Sequence, residues 1–169
     1  MPRIDFHDIP DQGRLWVFPA SRSLTPSEAD ALLTEVDAYL AEWAAHGVPL
    51  SSGRELRESH FLLVGVDEDV EAPSGCSIDA LVNRLRALGQ ELGVAIIDHA
   101  SVWYRRDGDI QRVSRPEFRQ LAAAGQVGPD TTVFDTTLTQ MSALRDGKLE
   151  VPARESWHGR TFFRGALDR

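Results

Sequence analysis

Lysine is almost missing from this sequence: of 18 basic residues, only Lys148 is a lysine. That scarcity excludes a Walker-type nucleotide site. A P-loop needs Gly-x-x-x-x-Gly-Lys-Ser/Thr, in which backbone amides and the ammonium surround the β- and γ-phosphates. Lys148 lies in Arg145-Asp146-Gly147-Lys148-Leu149, with no Ser or Thr after it and no glycine-rich loop before it. Cysteine is equally scarce. A lone Cys76 forms no internal disulfide and supplies no structural zinc site, so a reducing cytoplasm is the expected setting. The histidines His7, His46, His60, His99 and His158 include no His-x-x-x-His pair, and neither a metal nor a cofactor is expected. Long apolar runs are lacking too. Phe61–Val66 and Val94–Ile97 fall far short of the roughly 20 residues needed to cross a bilayer, so no membrane span is expected. Met1-Pro2-Arg3-Ile4-Asp5 lacks the apolar stretch of a secretory signal.

Positive charge is in deficit. Twenty-six acids against 18 bases leave a net charge of −8, which argues against a nucleic-acid partner, because phosphate neutralisation needs Lys and Arg. Arginine in place of lysine fits a GC-rich genome, and an acidic, lysine-poor surface fits a salty cytoplasm. Both readings concern habitat rather than activity.

What is present is an alternation of strand and helix patterns. At 169 residues and 42% hydrophobic content, the chain suits one domain with an ordinary core. Arg14–Ser21 is apolar on both faces and predicts a strand, with Pro19 marking an edge or a bulge. Thr25-Pro26-Ser27-Glu28 is a capping box with Pro at the first helical position. Helical spacing follows at Leu32, Leu33, Val36, Leu40 and Trp43, with His46 expected in the last turn before Gly47. Leu56–Val66 predicts one strand, and a second helix carries Ile78, Leu81, Leu85, Leu88 and Leu92 up to Gly93. Val94–Ile97 and Ser101–Arg106 are strand-like, and Asp107-Gly108 is a two-residue hairpin turn into Asp109–Val113. Ser114-Arg115-Pro116-Glu117 opens a short helix that ends by Gly125, and Thr131–Thr139 predicts another strand. The expectation is an α+β fold: a mixed, largely antiparallel sheet, two long amphipathic helices and one short C-terminal helix.

Ala72-Pro73-Ser74-Gly75-Cys76-Ser77-Ile78-Asp79 is the segment richest in chemistry. It opens the second helix, so its amides lie near the positive end of the helix dipole. Ser77 is the expected N-cap, with Asp79 in the first turn. A thiol placed there becomes a nucleophile if its proton is easily lost, with His60 or His158 as base. Ser74, Gly75, Ser77 and Asp79 alternatively form a site for a small anion. The structural alternative is a small-residue turn with a packed cysteine. Asp67-Glu68-Asp69 and Glu71 lack calcium-loop spacing and are expected in a solvated loop. In the tail, Trp157-His158-Gly159-Arg160 is either a binding surface or an anchor for an irregular segment.

Two resemblances add to this. Val102-Trp103-Tyr104-Arg105-Arg106-Asp107-Gly108, then Ser114–Leu121 and Gly125–Phe134, resemble a bacterial GYF-like module of the second type over residues 102–138. Such modules are associated with protein interaction, and eukaryotic relatives bind proline-rich peptides on aromatic surfaces. Here Gln111-Arg112-Val113 replaces the Gly-Pro before the helix, and the Gly-Tyr-Phe tripeptide is missing. With this resemblance, an interaction surface is expected at Trp103 and Tyr104 of that stretch and at Trp157 of the tail, with an unidentified protein or peptide as partner. The whole chain also resembles an uncharacterised bacterial family often labelled ABC transporter ATPase, through Trp43…His46-Gly47, Gly65-x-Asp67-Glu68, Ser74–Asp79 and Val151-Pro152…Glu155-Ser156-Trp157-His158. That label implies a nucleotide motif that the sequence lacks. The expected function is a non-catalytic binding protein. The alternative is a thiol-dependent enzyme or anion-binding protein centred on Cys76.

Overall fold

The computed structural model describes residues 3–167. Along the chain run β1 (Arg14–Pro19), α1 (Pro26–Glu42), β2 (Ala44–Ala45), β3 (Val48–Pro49), β4 (Ser52–Arg57), β5 (Phe61–Val66) and α2 (Gly75–Leu92). There follow β6 (Ser101–Arg106), β7 (Asp109–Ser114), α3 (Arg115–Ala123), β8 (Thr132–Phe134), α4 (Met141–Arg145), β9 (Glu150–Pro152), α5 (Trp157–Phe162) and α6 (Arg164–Leu167). They form two compact units: residues 3–98 with 137–145, and residues 99–136 with 146–167. The α+β class and the largely antiparallel pairing are as expected, with the strands divided among three sheets. Among the described residues, no helix is long and apolar enough to cross a membrane.

In the first unit the sheet order is β1-β5-β4, and every residue of the central strand β5 is buried. On one face, Leu62, Val64 and Val66 meet Leu32, Val36 and Leu40 of α1 and Leu81, Leu85 and Leu88 of α2. The helical spacing seen in the sequence is thus the spacing of this core. Thr25 caps α1 reciprocally: its Oγ1 accepts from Glu28 N–H at 3.1 Å, and Glu28 Oε1 accepts from Thr25 N–H at 3.0 Å. Gly93, at φ 73°, closes α2.

Three expectations need correction here. Leu56–Val66 is a hairpin rather than one strand: Glu58 and Ser59 both have positive φ (59° and 54°), and His60 N–H donates to Arg57 O at 3.1 Å. The register Arg57↔Phe61 leaves a three-residue loop, Glu58-Ser59-His60, which lacks the Asn-Gly or Asp-Gly signature that would have announced a hairpin. His46 is not in a helical turn. The helix ends at Glu42, and His46-Gly47 (φ 52° and 77°) joins β2 to β3. Val94–Ile97 is not a strand either. It folds back over the end of α2, with Val94 N–H donating to Gly89 O at 3.0 Å.

The second unit has the sheet order β7-β6-β8-β9. Asp107-Gly108 makes the expected hairpin at φ 52° and 86°. Ser114 Oγ accepts from Glu117 N–H at 3.2 Å and so starts α3. The strand expected over Thr131–Thr139 covers only Thr132–Phe134, because residues 137–145 leave this sheet for the first unit, where Leu15 N–H donates to Thr139 O at 2.9 Å. The core gathers Val102, Tyr104, Phe118, Val133, Val151 and Phe163.

Gly53 tests the packing of β4. A Cβ there would lie 2.7 Å from Ile4 O and 3.0 Å from Phe6 Cα, both backbone atoms that cannot swing aside. Gly53→Ala is expected to lower stability by about 1–3 kcal/mol in urea unfolding. Gly75→Ala, where a Cβ meets nothing within 4 Å, should stay within about 0.5 kcal/mol of the parent.

Candidate functional site

At the cysteine turn, Ser74 is the N-cap rather than Ser77: its Oγ accepts from Ser77 N–H at 3.1 Å. Ser77 is buried inside the first turn, where its Oγ donates to Ser74 O at 2.8 Å and its carbonyl accepts from Trp43 Nε1 at 2.8 Å. Both hydroxyls offered for an anion therefore serve the helix itself. Gly75 has neither a positive φ nor a close neighbour that would demand glycine. Cys76 and Asp79 are exposed.

Neither histidine expected as its base completes a thiol site. Ala20 N–H donates to His60 O at 2.7 Å and Ser21 N–H to Ala95 O at 2.8 Å, so His60 sits beside the C-terminal end of α2. Cys76 is at the other end, and a helix rising about 1.5 Å per residue separates the two by on the order of 25 Å. Adjacency along the chain misled, because β5 runs from His60 toward Val66 and so carries the chain away from that histidine. His60 is buried against Phe61, and burial lowers its pKa. His158, in the second unit, is 1% exposed. Its Nδ1 lies 2.7 Å from Ser156 Oγ, and its backbone N–H donates to the same oxygen at 3.2 Å. Burial pushes His158 down to about 4, with nearby Asp135 opposing the shift and Arg115 adding to it. Ser156 and His158 form an enclosed helix cap, closed to any substrate.

The acids after β5 are used locally: Asp67 Oδ1 accepts from Asp69 N–H at 3.0 Å, and Asp69 Oδ2 accepts from Gln12 Nε2 at 3.0 Å. Among the described residues, no group of three or more His, Cys, Asp or Glu side chains is arranged to hold a metal. A cleft of about 510 Å³ in the first unit has its guanidiniums already committed, with Arg3 and Arg54 both on Asp37.

The aromatic surface also needs correction. Trp103 and Tyr104 are 1% and 4% exposed. They lie on β6, an interior strand between β7 and β8, and point to opposite faces that are both covered. Trp157 is half-buried and does reach the surface. It stacks on His158 at 3.9 Å and 27°, and the Arg115 guanidinium lies 4.9 Å from its ring centroid. One helical turn on, Arg119 lies 5.2 Å from the half-buried ring of Phe162. Phe162 in turn meets Phe118 at 4.8 Å. The result is a pair of exposed guanidiniums laid over an aromatic floor.

Eight arginines, Arg3, Arg22, Arg54, Arg57, Arg84, Arg105, Arg145 and Arg154, each face a carboxylate. Among the described residues, Arg115 and Arg119 meet none, a property shared with Arg14, which lies over Trp16, but here two such guanidiniums stand one helical turn apart. The chain's acidity is also uneven. Residues 3–98 with 137–145 carry eight basic and seventeen acidic residues, a net of −9, whereas residues 99–136 with 146–167 carry nine and eight, a net of +1.

No family model, curated protein or solved structure matches this chain. The site that stands out is therefore the α3–α5 face, and sequence inspection missed Arg115, Arg119 and Phe162 in it. The i, i+4 spacing of the arginines on a capped helix was visible, but the rings beneath them come about forty residues later in the chain.

Two outcomes follow. Cys76 should alkylate in the folded protein without denaturant, and Cys76→Ser should shift stability by less than about 0.5 kcal/mol; protection from iodoacetamide would contradict its exposure. For His158, the unfolded chain binds a proton near pH 6.5 and the folded chain only near 4. The stability that neutral His158 confers is therefore complete above about pH 6.5 and is lost as pH falls toward 4, by up to on the order of 3 kcal/mol. His60 acts in the same direction. Urea unfolding from pH 7 to 4 should show this slope, and His158→Gln should flatten it.

Proposed function

We propose that the chain is a non-catalytic, cytoplasmic interaction protein that recognises a partner through the α3–α5 face of its second unit. The observation that carries this is the exposed pair Arg115 and Arg119, each stacked on an aromatic ring and neither matched by a carboxylate among the described residues. Stacked arginines beside aromatic rings are the side chains that anchor protein interfaces, because they present large planar area at small entropic cost. The resemblance of residues 102–138 to a GYF-like module supports the same class of function. In this reading Trp103 and Tyr104 build the platform and Trp157 meets the partner. The thiol-enzyme alternative has an exposed Cys76, but neither His60 nor His158 stands beside it as base.

Amide chemical-shift mapping of the labelled full chain tests this against proline-rich, acidic and basic peptides. Perturbations concentrated on residues 115–119 and 157–162 are expected with at least one of them. Silence with all three, or shifts centred on Cys76, would sink the proposal.

A further inference from the structure

We infer, building on that reading, that the partner is an acidic peptide segment, with carboxylates spaced to meet Arg115 and Arg119 together. Three features converge on this chemistry. First, the two guanidiniums are the kind of group that binds carboxylates in pairs of parallel hydrogen bonds, and among the described residues no carboxylate uses their planar donors. In a protein with more acids than bases, where eight other arginines are paired with carboxylates, two ring-stacked guanidiniums one helical turn apart with no carboxylate partner among the described residues are a specific arrangement. Second, each is held over a ring, at 4.9 Å on Trp157 and 5.2 Å on Phe162. Stacking reduces the side-chain freedom that binding would otherwise remove. Third, the spacing fits a peptide. Residues four apart on α3 are separated by about 6 Å along the helix, which an extended chain matches with acids two residues apart, at roughly 6.6–6.8 Å.

The surrounding charges allow it. Glu117, the acid between the two arginines, is turned off their face by its i+2 position and is engaged with Ser114, whose Oγ donates to Glu117 Oε1 at 2.9 Å. Arg160 is exposed three residues after Trp157, on the same side of α5. The near-neutral second unit spares an acidic ligand the repulsion it would meet at the first, where the net charge is −9. A nucleic acid would need a much larger cationic surface than this face provides.

Fluorescence anisotropy with the full chain and a labelled twelve-residue peptide of alternating Glu and Ser tests the assignment. The wild type should bind it and should ignore the matching Lys–Ser peptide. Arg115→Gln with Arg119→Gln should weaken binding at least tenfold. Arg115→Lys with Arg119→Lys, which keeps the charge but removes the planar fork, should weaken it several-fold. Arg106→Gln, a charge loss elsewhere in the same unit, should change it less than twofold. Raising NaCl from about 50 to 200 mM should weaken binding several-fold, as an exposed ionic contact requires. Equal weakening by Arg106→Gln, or no discrimination between the Glu and Lys peptides, would overturn the inference. So would tighter binding of a phosphoserine peptide than of its glutamate counterpart. If a neutral proline-rich peptide shifts residues 115–119 and 157–162 while the Glu–Ser peptide does not bind, the acidic partner is wrong but the interaction face stands. If no peptide perturbs that face, both fall.

Discussion

Everything on the α3–α5 face of the second unit depends on how Phe118 is buried. Its ring is fully enclosed and meets Tyr104 at 5.5 Å, Phe162 at 4.8 Å and Phe163 at 6.0 Å. That cluster fixes the rotation of α3 about its own axis. With Phe118 turned inward, positions 115 and 119 are set at the edge of the buried stripe, where long cationic side chains lay their planar heads over aromatic rings while staying wet. The same cluster seats α5, so Trp157 and Phe162 arrive beneath the arginines rather than elsewhere. One buried aromatic thus determines both halves of the stacked face.

The two units differ in chemistry as much as in topology. In the first, a strand buried along its whole length packs one face against α1 and α2, and six of the unit's eight arginines close an ion pair. Such exposed pairs contribute little stability each, about 0–1 kcal/mol. Their main effect is to leave that surface with acidic excess and no free cationic groove. The second unit also pairs Arg105 with Glu150 and Arg154 with Asp130, but it lays Arg115 and Arg119 over the half-buried rings of Trp157 and Phe162 instead. The overall charge of −8 conceals this difference, because an average over the chain is dominated by the acidic half.

Local signals in the sequence were reliable wherever local chemistry decides the structure. Thr25 and Ser114 start helices because their hydroxyls satisfy first-turn amides, and Asp107-Gly108 turns because both residues accept positive φ. The hairpin at Glu58-Ser59 was invisible, since tertiary pairing of β4 and β5 imposes on ordinary residues a conformation they rarely choose alone. The candidate site was legible only in pieces. Trp157 was singled out, but Trp103 and Tyr104 were assigned to the surface because a strand's alternation says which residues share a face and not whether that face is covered. The pairing of Cys76 with His60 failed for a related reason: neighbours along the chain were placed at opposite ends of a helix eighteen residues long.

The interleaving of the two units has a consequence for synthesis. Met141, fully buried, supplies the sulfur that would sit 3.0 Å from a Cβ on Gly65, and Arg145 reaches back to the backbone oxygen of Ile9 at 2.5 Å. A nascent chain that has emerged only as far as residue 98 holds all of α1, α2 and β5 yet lacks these contacts, because residues 137–145 come after most of the second unit's sheet. At ribosomal rates of roughly 5–20 residues per second, that interval lasts several seconds. For that time the β1-β5-β4 sheet has its helical side in place and its other side incompletely covered, so the last strap of the first unit is threaded only after β6, β7, α3 and β8 have been made.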